Sequence, residues 1–205
     1  LYGFILLNYI VSNLVLFIFW IILTIIAETL LIPLPDQSVA VSVGYAINIA
    51  SVIVGGPLLA TTASFLGILL RFPNVSGRGY VHALNTPKYK VIFNIAQSII
   101  VTSSISLIYL YVGGVVGEFS LLPTLLILVL GILLNTTIIS GFLTFATKQN
   151  FYKVWYNNVK GMFLSAIAVG TIGIIVALAY IGYGYGAVIL FFGPLLLARY
   201  SFKLY

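Results

Sequence analysis

Leu121-Leu-Pro-Thr-Leu-Leu-Ile-Leu-Val-Leu-Gly-Ile-Leu-Leu134 is the stretch that decides the fold. Strands of an outer-membrane barrel are ~10-residue segments of alternating polarity. This run has no such alternation and lies inside a charge-free segment, 119–147. A bilayer-spanning helix needs ~20 mainly apolar residues, so the segment reads as a transmembrane helix. Further charge-free segments cover 1–27, 37–70, 91–117 and 161–198. The chain of 205 residues is 62% hydrophobic and 6% charged, with mean hydropathy +1.21. A soluble domain carries about 25% charged residues. The expected fold is therefore an all-α integral membrane domain, 1–205, built as a polytopic bundle of six transmembrane helices, seven being the alternative.

Spans are expected at 4–27, 88–112, 119–147, 159–181 and 185–205, the last two separated by Gly182-Tyr-Gly-Tyr-Gly186. Glycine tolerates the turn geometry this break requires. The segment 37–70 is harder to place. As one helix it would be about 51 Å long at 1.5 Å per residue, too long for a ~30 Å core and too short for two comfortable spans. Gly55-Gly56-Pro57 divides it, since proline removes a donor and clashes with the preceding turn. Residues 38–50 fit a strand period and equally a helix period, with Ala40, Gly44 and Asn48 four apart. A broken or re-entrant element making one net crossing is expected, and non-helical backbone at that depth must be covered or line a cavity.

Nine basic residues, Arg71, Arg78, Lys88, Lys90, Lys148, Lys153, Lys160, Arg199 and Lys203, fall on one side of this layout. Lys and Arg collect in cytoplasmic loops. The loops 72–87 and 148–160 and the C-terminus are then inside, in a bacterial inner membrane, with a short interfacial helix expected near 79–85. Glu28, Asp36 and Glu118 are expected outside. Tyr109, Tyr111, Tyr180, Tyr183 and Tyr185 would form the outer aromatic belt. Residues 1–27 read as a retained span rather than a signal peptide, with a few residues expected before Leu1.

Catalysis fails on inventory. His82 has no carboxylate near it in sequence, and there is no cysteine. Acid–base or metal chemistry needs more partners than that. No cofactor is expected, and the +6 net charge is topological rather than a nucleic-acid footprint. What remains are uncharged polar groups at membrane depth. Asn48, Asn94, Gln97 and Asn135, with Tyr45, are the candidate ligand-binding residues, and Glu28 and Asp36 are expected at the rim of an outward pocket. Thr136, Thr137 and Ser140 accompany them. The alternative role for such groups is interhelical hydrogen bonding, worth ~0.6–2 kcal/mol each. The absence of ionisable groups within the spans argues against a proton-coupled carrier and favours a neutral or apolar ligand.

Three pieces carry a family resemblance: Leu34-Pro-Asp-Gln-Ser-Val-Ala-Val-Ser-Val-Gly44 with Gly56-Pro-Leu-Leu-Ala60; Phe93-Asn-Ile-Ala-Gln97 with Leu134-Asn135; and Gly193-Pro-Leu-Leu-Leu-Ala-Arg-Tyr-Ser-Phe-Lys-Leu-Tyr205. They resemble the N-terminal MASE-type membrane sensor modules that precede bacterial HD-GYP phosphodiesterases degrading cyclic di-GMP. The resemblance implies a sensory input domain that binds a small or lipid-like ligand, contacts membrane lipids and acts as a homodimer. Its C-terminal helix, with Pro194, Arg199 and Lys203, would signal into a cytoplasmic output domain that follows. The His-Asp pair and Gly-Tyr-Pro signature of the enzyme are absent, so this chain is expected to be a sensor and not an enzyme. The alternative is a substrate-binding subunit similar to those of energy-coupling-factor vitamin transporters. Those carry an Ala-x-x-x-Ala motif in the first helix, whereas 4–27 contains only Ala27.

Overall fold

A computed structural model describes residues 1–33, 40–75, 77 and 79–193. Asp36, Arg78, Pro194, Arg199, Lys203, Tyr200 and Tyr205 lie outside them. The described chain runs α1 (Tyr2–Asn8), α2 (Leu14–Thr29), β1 (Leu31–Pro33), β2 (Ala40–Ser42), α3 (Gly44–Leu70), β3 (Asn74–Val75), β4 (Gly79–Tyr80), α4 (Lys88–Tyr111), α5 (Leu121–Thr147) and α6 (Phe151–Tyr183). A further helix, α7, follows the Gly184 break over 185–193. The break lies inside the glycine-rich corner expected from sequence, and Gly184 sits at φ 71°.

The first expected span is not one helix. Asn13 ends the interruption at 9–13 by capping α2, its side-chain oxygen accepting from Leu16 N at 3.0 Å. Such a cap satisfies a backbone donor that a helix start leaves unpaired. Tyr2 bonds Thr62 and its ring lies tilted 6.0 Å from that of Phe65 in the later part of α3. Ile10 to Asn13 instead border Val54 to Leu59 at its middle. The chain therefore climbs through α1, turns, and descends through α2.

The segment 37–70 resolves into a strand and a helix. Antiparallel pairing of β1 with β2, Leu31 facing Ser42, makes a small hairpin, and the helix starts at Gly44. Helix α3 breaks where the sequence places Gly55-Gly56-Pro57, with Gly56 at φ 69°, ψ −164°. A straight helix would set Gly44 and Gly67 about 34 Å apart. Both instead contact Glu28. Its carboxylate occupies the space over the Gly44 Cα, and a Cβ on Gly67 would lie 3.4 Å from Glu28 Cγ and 2.7 Å from Thr24 Cγ2. So α3 doubles back: one limb (44–55, about 18 Å) enters, the other (57–70, about 21 Å) returns, and neither spans a ~30 Å core. The element is broken and re-entrant, but its expected net crossing is not made.

Only glycine readily takes the Gly56 conformation, and a side chain there costs about 1–3 kcal/mol. Gly56→Ala should lower the melting temperature of the protein in detergent clearly, while Gly186→Ala, which meets open space, should not. Equal effects would place the tip elsewhere.

Among the described residues four helices, α3 to α6, are long and apolar enough by length and composition to cross a membrane, but α3 is folded back at Gly56, so the expected six or seven spans are not matched. The hairpin α3 is the best covered of them, most of its residues being buried where those of α4 to α6 are largely not. Polar pairs such as Thr61–Ser103 and Ser64–Ser98 show α4 rising antiparallel to the returning limb. Helix α5 descends and α6 rises, joined by a turn at 148–150 in which Lys148 is left-handed and Asn150 caps α6. The expected loop 148–160 is thus mostly helix.

Among the described residues, Arg71, Lys88, Lys90, Lys148, Lys153 and Lys160 all belong to one end of the bundle, and Glu118 to the other. Glu28 overturns the rest of the charge map. Its Oε2 lies 3.2 Å from Arg71 Nη1, so it is paired with one of the basic residues and not across the membrane from all of them. Over 79–85 there is no helix. β3 and β4 pair across the loop, and Asn85 closes a turn by accepting from His82 N and donating to Tyr80 O. Tyr109 is fully buried and donates to Glu118 O at 3.0 Å, so it anchors a loop rather than the aromatic belt.

Candidate functional site

Around the hairpin, polar side chains form separate seams, each made possible by what packs there. The returning limb meets α4 through hydroxyls. Thr61 and Ser103 are 3.3 Å apart, Thr102 donates to Ser64 at 3.1 Å, and Ser64 also contacts Ser98. Ser106 donates to Ser103 O. These residues are buried apart from the half-buried Ser98. Hydroxyls suit such a seam because they bond while remaining small enough for close helix approach.

The entering limb reaches across to α5. Tyr45 Oη donates to the Leu128 carbonyl at 3.0 Å. Its ring passes between two glycines: a Cβ on Gly131 would lie 2.9 Å from the Tyr45 hydroxyl, and one on Gly170 would lie 3.2 Å from the ring. One turn beyond Gly131 on α5, Asn135 accepts from Gln97 Nε2 of α4 at 2.5 Å. Farther toward the basic end, Trp155 donates to Thr137 and Asn158 to Ser140, tying α6 to α5.

Asn48 follows Tyr45 by three residues, within about 60° of it around the helix. It is 9% exposed, and its Oδ1 has no hydrogen-bond partner among the described residues. Asn94, one turn before Gln97, is half-buried. The structure thus joins Gln97 to Asn135 and sets Tyr45 one turn away along α5. It does not bring Glu28 to them. Glu28 is 5% exposed and locks the end of α2 to the two feet of the hairpin, so it cannot form an outward rim. Asp36 lies outside the described residues.

Removing one amide of the Gln97–Asn135 pair strands the other. Leaving a buried polar group unpaired costs ~1–3 kcal/mol, whereas replacing both partners by apolar groups can be nearly neutral. Asn135→Leu should therefore lower the melting temperature, and adding Gln97→Leu should restore much of it. A further drop in the double variant would contradict the pairing.

Sequence reasoning weighed amides and missed the hydroxyl seam. The signal was present in Ser98, Thr102 and Ser106, four apart, facing Thr61 and Ser64. It also missed the glycines that admit Glu28 and Tyr45. Among the described residues no group of three or more His, Cys, Asp or Glu could hold a metal. Among the described residues the arrangement offers neutral hydrogen bonds, one ion pair and a broken helix.

These features define a helical membrane domain built round a re-entrant hairpin. The chain belongs to the MASE9 family, whose model matches residues 4–204. MASE domains are membrane sensory domains, so this is a MASE-type sensor domain and not a catalytic one. No curated protein and no solved structure matches it.

Proposed function

We propose that this domain is the input module of a signalling protein in the bacterial cytoplasmic membrane. A small neutral or lipid-like ligand binds among its helices, with Tyr45, Asn48, Asn94, Gln97 and Asn135 as the contacting groups. The change passes through α7 and its continuation, with Pro194, Arg199 and Lys203, to a cytoplasmic HD-GYP phosphodiesterase acting on cyclic di-GMP, within a homodimer. The observation that carries the reading is the MASE9 match over nearly the whole chain. The unpartnered Asn48 carbonyl oxygen supports a binding role, since burying such a group without a partner is costly. A ligand drives signalling only by binding one arrangement more tightly than the other. The basic end is taken as cytoplasmic because Lys and Arg collect there. Family membership favours this reading over the transporter subunit.

The test is cyclic di-GMP hydrolysis by the full-length protein in native membranes, with and without Asn48→Leu. Turnover should shift in the variant while the protein stays folded and inserted. Unchanged turnover would remove Asn48 from the signal, and a sequence after Tyr205 encoding no HD-GYP domain would remove the assigned output.

A further inference from the structure

Pro57 does more than bend α3. A helical carbonyl at residue 53 would accept from the N–H of residue 57, and proline has none. The Ile53 carbonyl is satisfied from outside the helix: Gly117 N, in the loop 112–120 between α4 and α5, donates to it at 2.9 Å. Among the described residues this is the loop's one backbone hydrogen bond to α3. The neighbouring side chain completes the attachment. A Cβ on Gly56 would lie 2.9 Å from Val116 Cγ2, so Val116 is seated on the bare tip of the hairpin. Val116 is nonetheless 42% exposed, and Gly117 and Glu118 are exposed.

The same loop is held far more firmly by α4. Tyr109 is fully buried, and its hydroxyl donates toward two loop carbonyls, Glu118 O at 3.0 Å and Val115 O at 3.4 Å. Gly114 N donates to Tyr109 O at 2.8 Å. The Tyr109 ring also fills the space where a Gly114 Cβ would stand. The loop is therefore wrapped on the end of α4 and moves with it.

We infer that the loop 112–120 is a releasable clip on the re-entrant hairpin. In the closed state Gly117 satisfies Ile53 O; in the open state the loop lifts off the tip with the end of α4. Closure is specific, because the clip supplies the donor that α3 itself lacks. Release is inexpensive, because the bond ends on an exposed residue and water can take its place, so no buried acceptor is left unpaired. Segments with few buried contacts and exposed backbone bonds are those that open locally. The entering limb behind the tip lies against α6 at Ala46 and Gly173, so release at the loop is felt by a third helix. The inference rests on contacts at the tip and does not depend on the amides or the output assigned above.

The test follows backbone amide exchange in the intact protein in nanodiscs, read at isotope-labelled glycine. Gly117 should exchange more slowly than an unstructured glycine, because its N–H is bonded. It should exchange faster than Gly131 and Gly170 inside α5 and α6, because the clip opens while the helices stay folded. Val116→Ala removes two methyl groups that are about half in contact, equivalent to one buried CH2 or ~0.8 kcal/mol. Gly117 exchange should then rise about fourfold, with Gly131 and Gly170 unchanged. Pro57→Ala gives Ile53 O a donor within α3 and should also speed Gly117 exchange; if that variant does not fold, Val116→Ala decides. Exchange of Gly117 at the unstructured rate would mean that no clip forms. Exchange no faster than at Gly131 would mean that the clip does not release. A Gly117 rate unmoved in Val116→Ala, or in a folded Pro57→Ala, would remove the contacts assigned to it, and each of these results overturns the inference.

Discussion

Replacing Gly173 with alanine will destabilise the protein more than any other single added methyl on α6. A Cβ at Gly173 would run into the Ala46 carbonyl oxygen, and its next neighbours are Ala46 C and Cα. Backbone cannot rotate aside as a side chain can, so α6 must move off the entering limb. Overpacking of this kind costs typically ~1–3 kcal/mol, and the upper end is expected here. The displacement would also loosen Val176 and Ala177, both fully buried on α6. Gly182→Ala on the same helix meets nothing within 4 Å and should be neutral. Thermal unfolding of the two variants in the same detergent decides the matter. Comparable melting temperatures would mean that α3 and α6 are not held at van der Waals contact.

Loss of Glu28 is the second large effect. Removing one partner of a buried ion pair costs ~3–5 kcal/mol, because the other charge is stranded. Arg71 keeps 27% of its side chain exposed and can rehydrate, so about 2–3 kcal/mol is expected for Glu28→Ala. The pair cannot be inverted. The carboxylate fits over Gly44 where not even a Cβ has room, and a guanidinium is larger. Glu28→Arg with Arg71→Glu should therefore fail to recover stability, whereas Arg71→Lys should retain part of it. A charge swap that restores wild-type melting would show a long-range electrostatic effect in place of a shaped contact. In a double-mutant cycle with alanine at both positions, a coupling of ~0.5 kcal/mol or more is expected for residues in contact.

Much of the architecture was legible because charge is scarce. With few Lys, Arg, Asp and Glu, the spans α4, α5 and α6 stand out, and the described basic residues do share one end. Gly55-Gly56-Pro57 announced its break through covalent geometry alone. Whether α3 crosses or returns was not legible, since limbs of 12 and 14 residues suit either outcome until Glu28 touches both feet. That contact joins residues 43 apart in sequence, and acidic residues contribute little to topology. The α1–α2 corner escaped notice for a related reason: Ser12 and Asn13 are neutral, so a charge map passes over them. Of the candidate ligand residues, Gln97 and Asn135 make an interhelical hydrogen bond, the general alternative for polar groups at membrane depth, but nothing in the sequence said which two amides would meet. The role of Tyr45 was not legible either, because it depends on Gly131 and Gly170 arriving from two other helices.

The length of α6 has a mechanical consequence. Its 33 residues make a rod of about 50 Å, longer than the ~30 Å hydrocarbon core. The close contact at Gly173 is about 33 Å along that rod from Phe151. If the rod pivots there, a 5° tilt would sweep the Phe151 end through about 3 Å on that spacing. The α5–α6 turn rides on that end, with Lys148, Lys153 and the exposed Tyr152 beside it. A displacement at the hairpin too small to open any gap in the core would thus arrive at the basic face magnified, as the motion of a lever arm.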